Sequence, residues 1–163
     1  MRERDSIESH LKPQKMKIAL LALTLLSATL TFTYAQEVGV RFGSFTGNGG
    51  VALDGIFSTG EFSRVHGDVS FGRGVGVDLL WDFIYRPLGE ETLNWYVGAG
   101  PFVFLPFDPD WDFGLGAIGE VGLSYTFNEV PISLSADWRP YFRLLEHTDI
   151  SFGGFGFNVR YVF

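Results

Sequence analysis

The sequence contains no cysteine, and beyond Ala35 it contains no lysine. The first absence excludes a disulfide framework, thiolate chemistry and any cysteine-ligated metal site. The second leaves seven basic residues after Ala35, all arginine: Arg41, Arg64, Arg73, Arg86, Arg139, Arg143 and Arg160. Sixteen carboxylates stand against them in the same stretch, a formal charge of −9. Such a balance argues against nucleic-acid binding, which needs a basic patch. Helical periodicity of useful length, linkers and low-complexity tracts are also missing from this part of the chain.

What is present begins with a leader. Ile18 to Ala35 carries no charge, is rich in Leu and Ala, follows Lys15 and Lys17, and ends Thr33-Tyr34-Ala35. This pattern predicts a secretory signal peptide within residues 1–35. The polar Met1 to Gln14 stretch is long for its n-region and makes Met16 a candidate start. An uncleaved anchor is the weaker reading, since a spanning helix needs about 20 apolar residues. Residues 36–163 are the expected single domain.

That domain reads as eight alternating segments divided by turn chemistry. Val38, Val40 and Phe42 oppose Gly39, Arg41 and Gly43; Val51, Leu53 and Phe57 oppose Ala52, Asp54 and Ile56; Val65, Val69 and Phe71 oppose Arg64, His66, Asp68 and Ser70. The fourth segment, Val75 to Arg86, sets Val77, Leu79, Trp81, Phe83 and Tyr85 against Asp78, Asp82 and Arg86, with Leu80 and Ile84 on the polar side. The fifth, Leu93 to Leu105, sets Trp95, Val97, Ala99 and Val103 against Asn94, Tyr96, Gly98 and Gly100, and its Pro101 predicts a bulge or a strand end. The sixth runs Phe113 to Phe127, the seventh Ile132 to Arg143, and the eighth Ser151 to Phe163. In the last, Phe155, Phe157, Val159, Tyr161 and Phe163 alternate with Gly154, Gly156, Asn158, Arg160 and Val162. Period-two alternation places two different environments on the two faces of each strand.

The faces predict which environment lies where. One is apolar throughout and rich in Trp, Tyr and Phe near strand ends, as an aromatic girdle requires. The other collects Arg41, Asp54, Asp68, Asp78, Asp82, Glu120, Asp137, Arg139 and Arg160 in mid-strand, interleaved with glycine. A charged face turned to water would ordinarily carry lysine. Its absence predicts a narrow interior in which arginines and carboxylates pair, and an apolar face turned to lipid. An even strand count suits closure without a free edge. The expected fold is all-β: an eight-stranded antiparallel up-and-down transmembrane barrel behind a signal peptide.

With its terminal Gly156-Phe157-Asn158-Val159-Arg160-Tyr161-Val162-Phe163 and the phrase Asp137-Trp138-Arg139-Pro140, the chain resembles the small eight-stranded outer-membrane β-barrels, a superfamily that includes the transmembrane domain of outer membrane protein A. The resemblance spans Gln36 to Phe163. It implies the outer membrane of a Gram-negative bacterium, outer-membrane lipids as surroundings, and Tyr161 and Phe163 as the aromatic signal read by the assembly machinery. It also implies periplasmic termini and a monomer, and it says little of activity.

Several constellations invite chemistry. Asp108, Asp110 and Asp112 alternate like hard oxygen ligands but lack the glycine and distal glutamate of an EF-hand, so a solvated acidic loop is expected. That loop's Trp111, with His147 in the last loop, offers surface contacts. His66, Asp68 and Ser70 share one face and suggest a hydrolase, although geometry and not sequence proximity defines a triad. The interior charges suit either a narrow conduit or a plug, and the dimensions of eight strands favour the plug. The expectation is a non-enzymatic barrel without cofactor, with a structural or cell-surface interaction role. A narrow pore, a soluble lipocalin-like lipid carrier and a lipid-modifying enzyme are the alternatives.

Overall fold

The computed structural model describes residues 36–46, 49–145 and 148–163. The predicted signal peptide, Gly47-Asn48 of the first turn and His147 lie outside them. Every regular element described is a strand: β1 (Gln36–Ser44), β2 (Gly49–Gly60), β3 (Ser63–Phe71), β4 (Gly74–Leu88), β5 (Glu90–Pro106), β6 (Gly114–Thr126), β7 (Ile132–Trp138), β8 (Tyr141–Arg143), β9 (Asp149–Ser151) and β10 (Phe155–Val162). Neighbours pair antiparallel, and β1 closes on β10 from Glu37 opposite Val162 to Gly43 opposite Gly156. β7 with β8, and β9 with β10, each form one interrupted stave, which gives the expected closed barrel of eight.

The two interruptions correct the continuous seventh and eighth segments. Arg139-Pro140 breaks the first because proline has no N–H for the ladder, yet Gly119 N–H still reaches the Pro140 carbonyl at 2.9 Å and the register with β6 is kept. Phe152-Gly153-Gly154 breaks the second. Tyr141 lies opposite Ser151 but Trp138 lies opposite Phe155, so one extra residue enters there, a bulge.

A third irregularity overturns part of the reading of β4. Asp82 faces Gly98, but Ile84 faces Val97, which leaves Phe83 as an extra residue. Because side chains alternate with period two, one inserted residue exchanges the faces of everything after it. Tyr85 therefore turns inward, opposite Tyr96, and Arg86 turns outward, where its guanidinium lies 3.5 Å from the Phe62 ring centroid. The sequence pattern had these two residues the other way round. Pro101, by contrast, neither ends β5 nor shifts its register; it pairs with Ala117 on β6, and only the β4 side lacks partners at Leu79 and Leu80.

The missing cysteines make this bulge easy to test. In the folded protein, an Arg86→Cys variant should react readily with a bulky maleimide and a Tyr85→Cys variant much more slowly, with both equal in denaturant. The opposite order in the folded state would restore uninterrupted alternation.

Two more register shifts lie at strand ends, between Ser58 and Gly60 and between Pro87 and Leu88, and elsewhere the alternation holds. Val38, Leu53, Leu79, Trp81, Val121, Leu123, Phe157 and Tyr161 are exposed on the outer wall. Inside, Arg41, Asp54, Arg64, His66, Asp68, Asp82, Glu120, Asp137, Arg139, Asn158 and Arg160 are buried. A small apolar layer of Leu80, Phe102 and Ile118, with Tyr141 against it, shares the interior. Glycines make the room: a Cβ at Gly156 would strike the Arg41 guanidinium, and one at Gly122 the Tyr96 ring. At the β4–β5 turn Gly89 takes a φ of 84°, a conformation glycine adopts without steric cost.

Candidate functional site

The lumen is built from inward positions of every stave, so residues far apart in sequence meet at its centre. Arg139, at the β7 break, is the most connected. Its Nε donates to Glu120 at 3.0 Å, its Nη1 to Asp68, and its Nε lies 3.4 Å from Asp137. Asp78 stands 3.9 Å from Nη1 and accepts the Thr46 hydroxyl at 2.7 Å. Arg160 on β10 reaches across to Asp54 on β2 with two nitrogens, one at 3.1 Å, and donates to Ser135 at 2.8 Å. Arg41 pairs with Asp137 and donates to the Ser44 carbonyl at 3.0 Å. Asn158 donates to both Ser135 and Asp137, at 2.8 and 2.7 Å.

All nine residues named from sequence as interior charges are thus buried in one connected network. Two further members, Arg64 and Tyr85, were not singled out, and His66, named only as a hydrolase candidate, is a third. Arg64 donates to Asp82 at 2.6 Å and lies between the Tyr85 and Tyr96 rings, 4.3 Å from each centroid. Tyr85 reaches that position only because of the bulge, a signal no alternation count contains. His66 is fully buried, with Nε2 2.7 Å from Asp54 and Nδ1 3.2 Å from Glu120. Its place in the alternation was legible; its partners, 12 and 54 residues away, were not.

Chemically this arrangement is a buried network of opposite charges. Four buried guanidiniums face seven buried carboxylates when Glu37 is counted, so arginine is the scarce charge and Arg139 must serve several anions. Ligand atoms of Asp54, His66 and Asp68, and of His66, Asp82 and Glu120, fall within 4.8 Å of one another, a spacing that a metal ion would accept. Guanidinium nitrogens of Arg139 and Arg160 already lie 3.0 to 3.2 Å from the His66 ring nitrogens and repel a second cation. For hydrolysis, His66 would need a nitrogen facing Ser70. Both its nitrogens face carboxylates, and the Ser70 hydroxyl lies 3.5 Å from the Gly76 carbonyl.

The remaining candidates lie at the barrel rims. Asp108, Asp110, Trp111 and Asp112 are exposed between β5 and β6, where the Asp110 N–H donates to the Asp108 carboxylate at 3.0 Å and Arg73 stacks on Trp111 at 4.1 Å. At the other rim Tyr161 and Phe163 meet edge to face, centroids 5.0 Å apart. Trp81 is 57% exposed on the outer wall.

Fold and lumen together define a closed eight-stranded antiparallel barrel with a charged interior and an apolar exterior. No family model matches the chain, and no curated protein matches it.

Proposed function

We propose that this chain is an integral outer-membrane barrel of a Gram-negative bacterium, monomeric and closed by its own side chains, with a structural or cell-surface interaction role. The observation that carries the reading is the inversion of its faces: guanidiniums and carboxylates are buried while Leu, Val, Phe and Trp cover the outer wall. Soluble monomers rarely expose contiguous apolar patches larger than a few hundred Å². Strands of 9 to 17 residues in the staves from β1 to β6 meet the roughly 9–11 that a tilted membrane strand needs. A closed barrel also leaves no unpaired edge for lipid to desolvate.

The lumen reads as a plug and not a conduit or a reaction centre, because large side chains occupy it: Arg41, Arg64, Arg139, Arg160, Tyr96 and Phe102 are all fully buried. The resemblance to small outer-membrane barrels supports the same compartment, and makes Tyr161 and Phe163 the signal for the assembly machinery.

Cell fractionation is the deciding experiment. The protein should enter the outer-membrane fraction, require detergent, and migrate differently before and after heating; in planar bilayers it should give no steady conductance steps. Recovery from the aqueous periplasm without detergent would instead establish a soluble barrel, and steady steps a pore. Deleting Phe163 should lower the amount assembled in the membrane without blocking export. Unchanged assembly of the truncated chain would remove that role from the terminal aromatic.

A further inference from the structure

We propose that the lumen holds a proton as part of its structure: Asp82 keeps its carboxylic hydrogen on Oδ1 and donates it to Glu120 Oε1, a latch from β4 to β6 that loosens as pH rises. The two carboxyl groups meet over Gly98 of β5, where a Cβ would strike Asp82 Oδ1 and lie 3.1 Å from Glu120 Oε1. The two side chains are hydrogen-bonded to each other. Ionised carboxylates only accept, so a bond between two of them needs one to keep its hydrogen.

The neighbours decide which oxygen carries the proton. Glu120 is the better anion: its Oε2 accepts from Arg139 Nε at 3.0 Å, and its Oε1 faces His66 Nδ1 at 3.2 Å. Asp82 accepts from Arg64 Nε through Oδ2 at 2.6 Å, while its Oδ1 is sealed from solvent with no nitrogen or hydroxyl donor among the described residues. Neither water nor a hydrated ion has room there, whereas a proton needs none. An ionised Asp82 would instead set a desolvated anionic oxygen against a second anion. Seven buried carboxylates against four guanidiniums leave anions in excess even with His66 charged. Arg64 does not rely on Asp82 alone, since the Tyr85 and Tyr96 rings sandwich its guanidinium. The other ionisable groups around the pair face its partners: Asp54 and Asp68 face His66, and Asp137 lies 3.4 Å from Arg139 Nε.

Asp82→Asn is the test, because an amide N–H supplies the same hydrogen permanently and the amide oxygen still accepts from Arg64. At neutral pH the refolded variant should unfold at a urea midpoint equal to or above that of the native chain. Asp54→Asn, which neutralises a carboxylate held by Arg160 and His66, should fall well below both. Unfolding releases the shared proton to the buffer, so raising pH favours the unfolded native chain. The lead of Asp82→Asn over the native chain should therefore widen as pH rises. Infrared spectra of the folded native protein should show a carboxylic-acid carbonyl band that Asp82→Asn lacks. A loss of stability in Asp82→Asn as large as in Asp54→Asn, its failure to fold, a lead that does not change with pH, or identical carbonyl bands would overturn the proposal.

Discussion

Replacing Arg139 by alanine should destabilise the barrel by about 3–5 kcal/mol, the usual cost of removing one partner from a buried ion pair. The reason is the shortage of cations in the lumen. Arg139 contacts Glu120, Asp68 and Asp137 and lies near Asp78, and no spare guanidinium stands by to replace it: Arg41, Arg64 and Arg160 are each committed to Asp137, Asp82 and Asp54. Water cannot easily compensate in a filled interior. Lysine should rescue poorly, because one ammonium cannot fork toward several carboxylates as a guanidinium does. Asp78→Asn should cost far less, since it removes one charge from the side in excess. Urea unfolding of refolded protein reads the difference, and an Arg139→Ala midpoint equal to that of Asp78→Asn would show that arginine is not limiting.

Leu79→Arg should cost about 2–4 kcal/mol when folding is measured in lipid vesicles, the penalty of an arginine on the lipid face near mid-membrane. Leu79 lies in the interior of β4, is 51% exposed, and is followed on the same wall by Trp81. Surface substitutions in water ordinarily stay within about 0.5 kcal/mol, so the same change in a soluble barrel would pass almost unnoticed. Phe107→Arg is the control: Phe107 is 68% exposed but sits in the β5–β6 connection beyond the strands, and its charge should be tolerated. Equal, small effects at both positions would remove the lipid from around Leu79 and with it the membrane reading.

The residues themselves explain which parts of this could be read early. Arg160 and Asp54 were assignable to the interior because every second residue of a strand shares its face, and that parity survives from Phe155 to Val162 and along β2 up to Ser58. Tyr85 and Arg86 were misplaced because Phe83 bulges, and a bulge depends on the neighbouring strand's register, not on local composition. Pro101 misled for a related reason: its missing N–H falls on the side of β4 alone, while pairing with β6 continues. Pro140 marks the break after Trp138 without specifying it, since a proline at a bulge and one at a strand end look alike in sequence. The cavity lined by Arg73, Asp110 and Arg143 at the β5–β6 end has no sequence signature, because these residues come from three separate connections or strands.

Alternation, the missing lysines and the turn residues determined that this chain folds as an eight-staved antiparallel barrel with one apolar and one charged face, because period two is a local property of extended backbone. Tertiary structure alone decided which charges pair. Closure brings β10 beside β1, so Arg41, Asp137 and Asn158 converge from the two ends of the domain, and Arg160 meets Asp54 and His66 across the lumen. Those contacts depend on register and on strand order around the barrel, which are set by every strand pairing together and by no single segment.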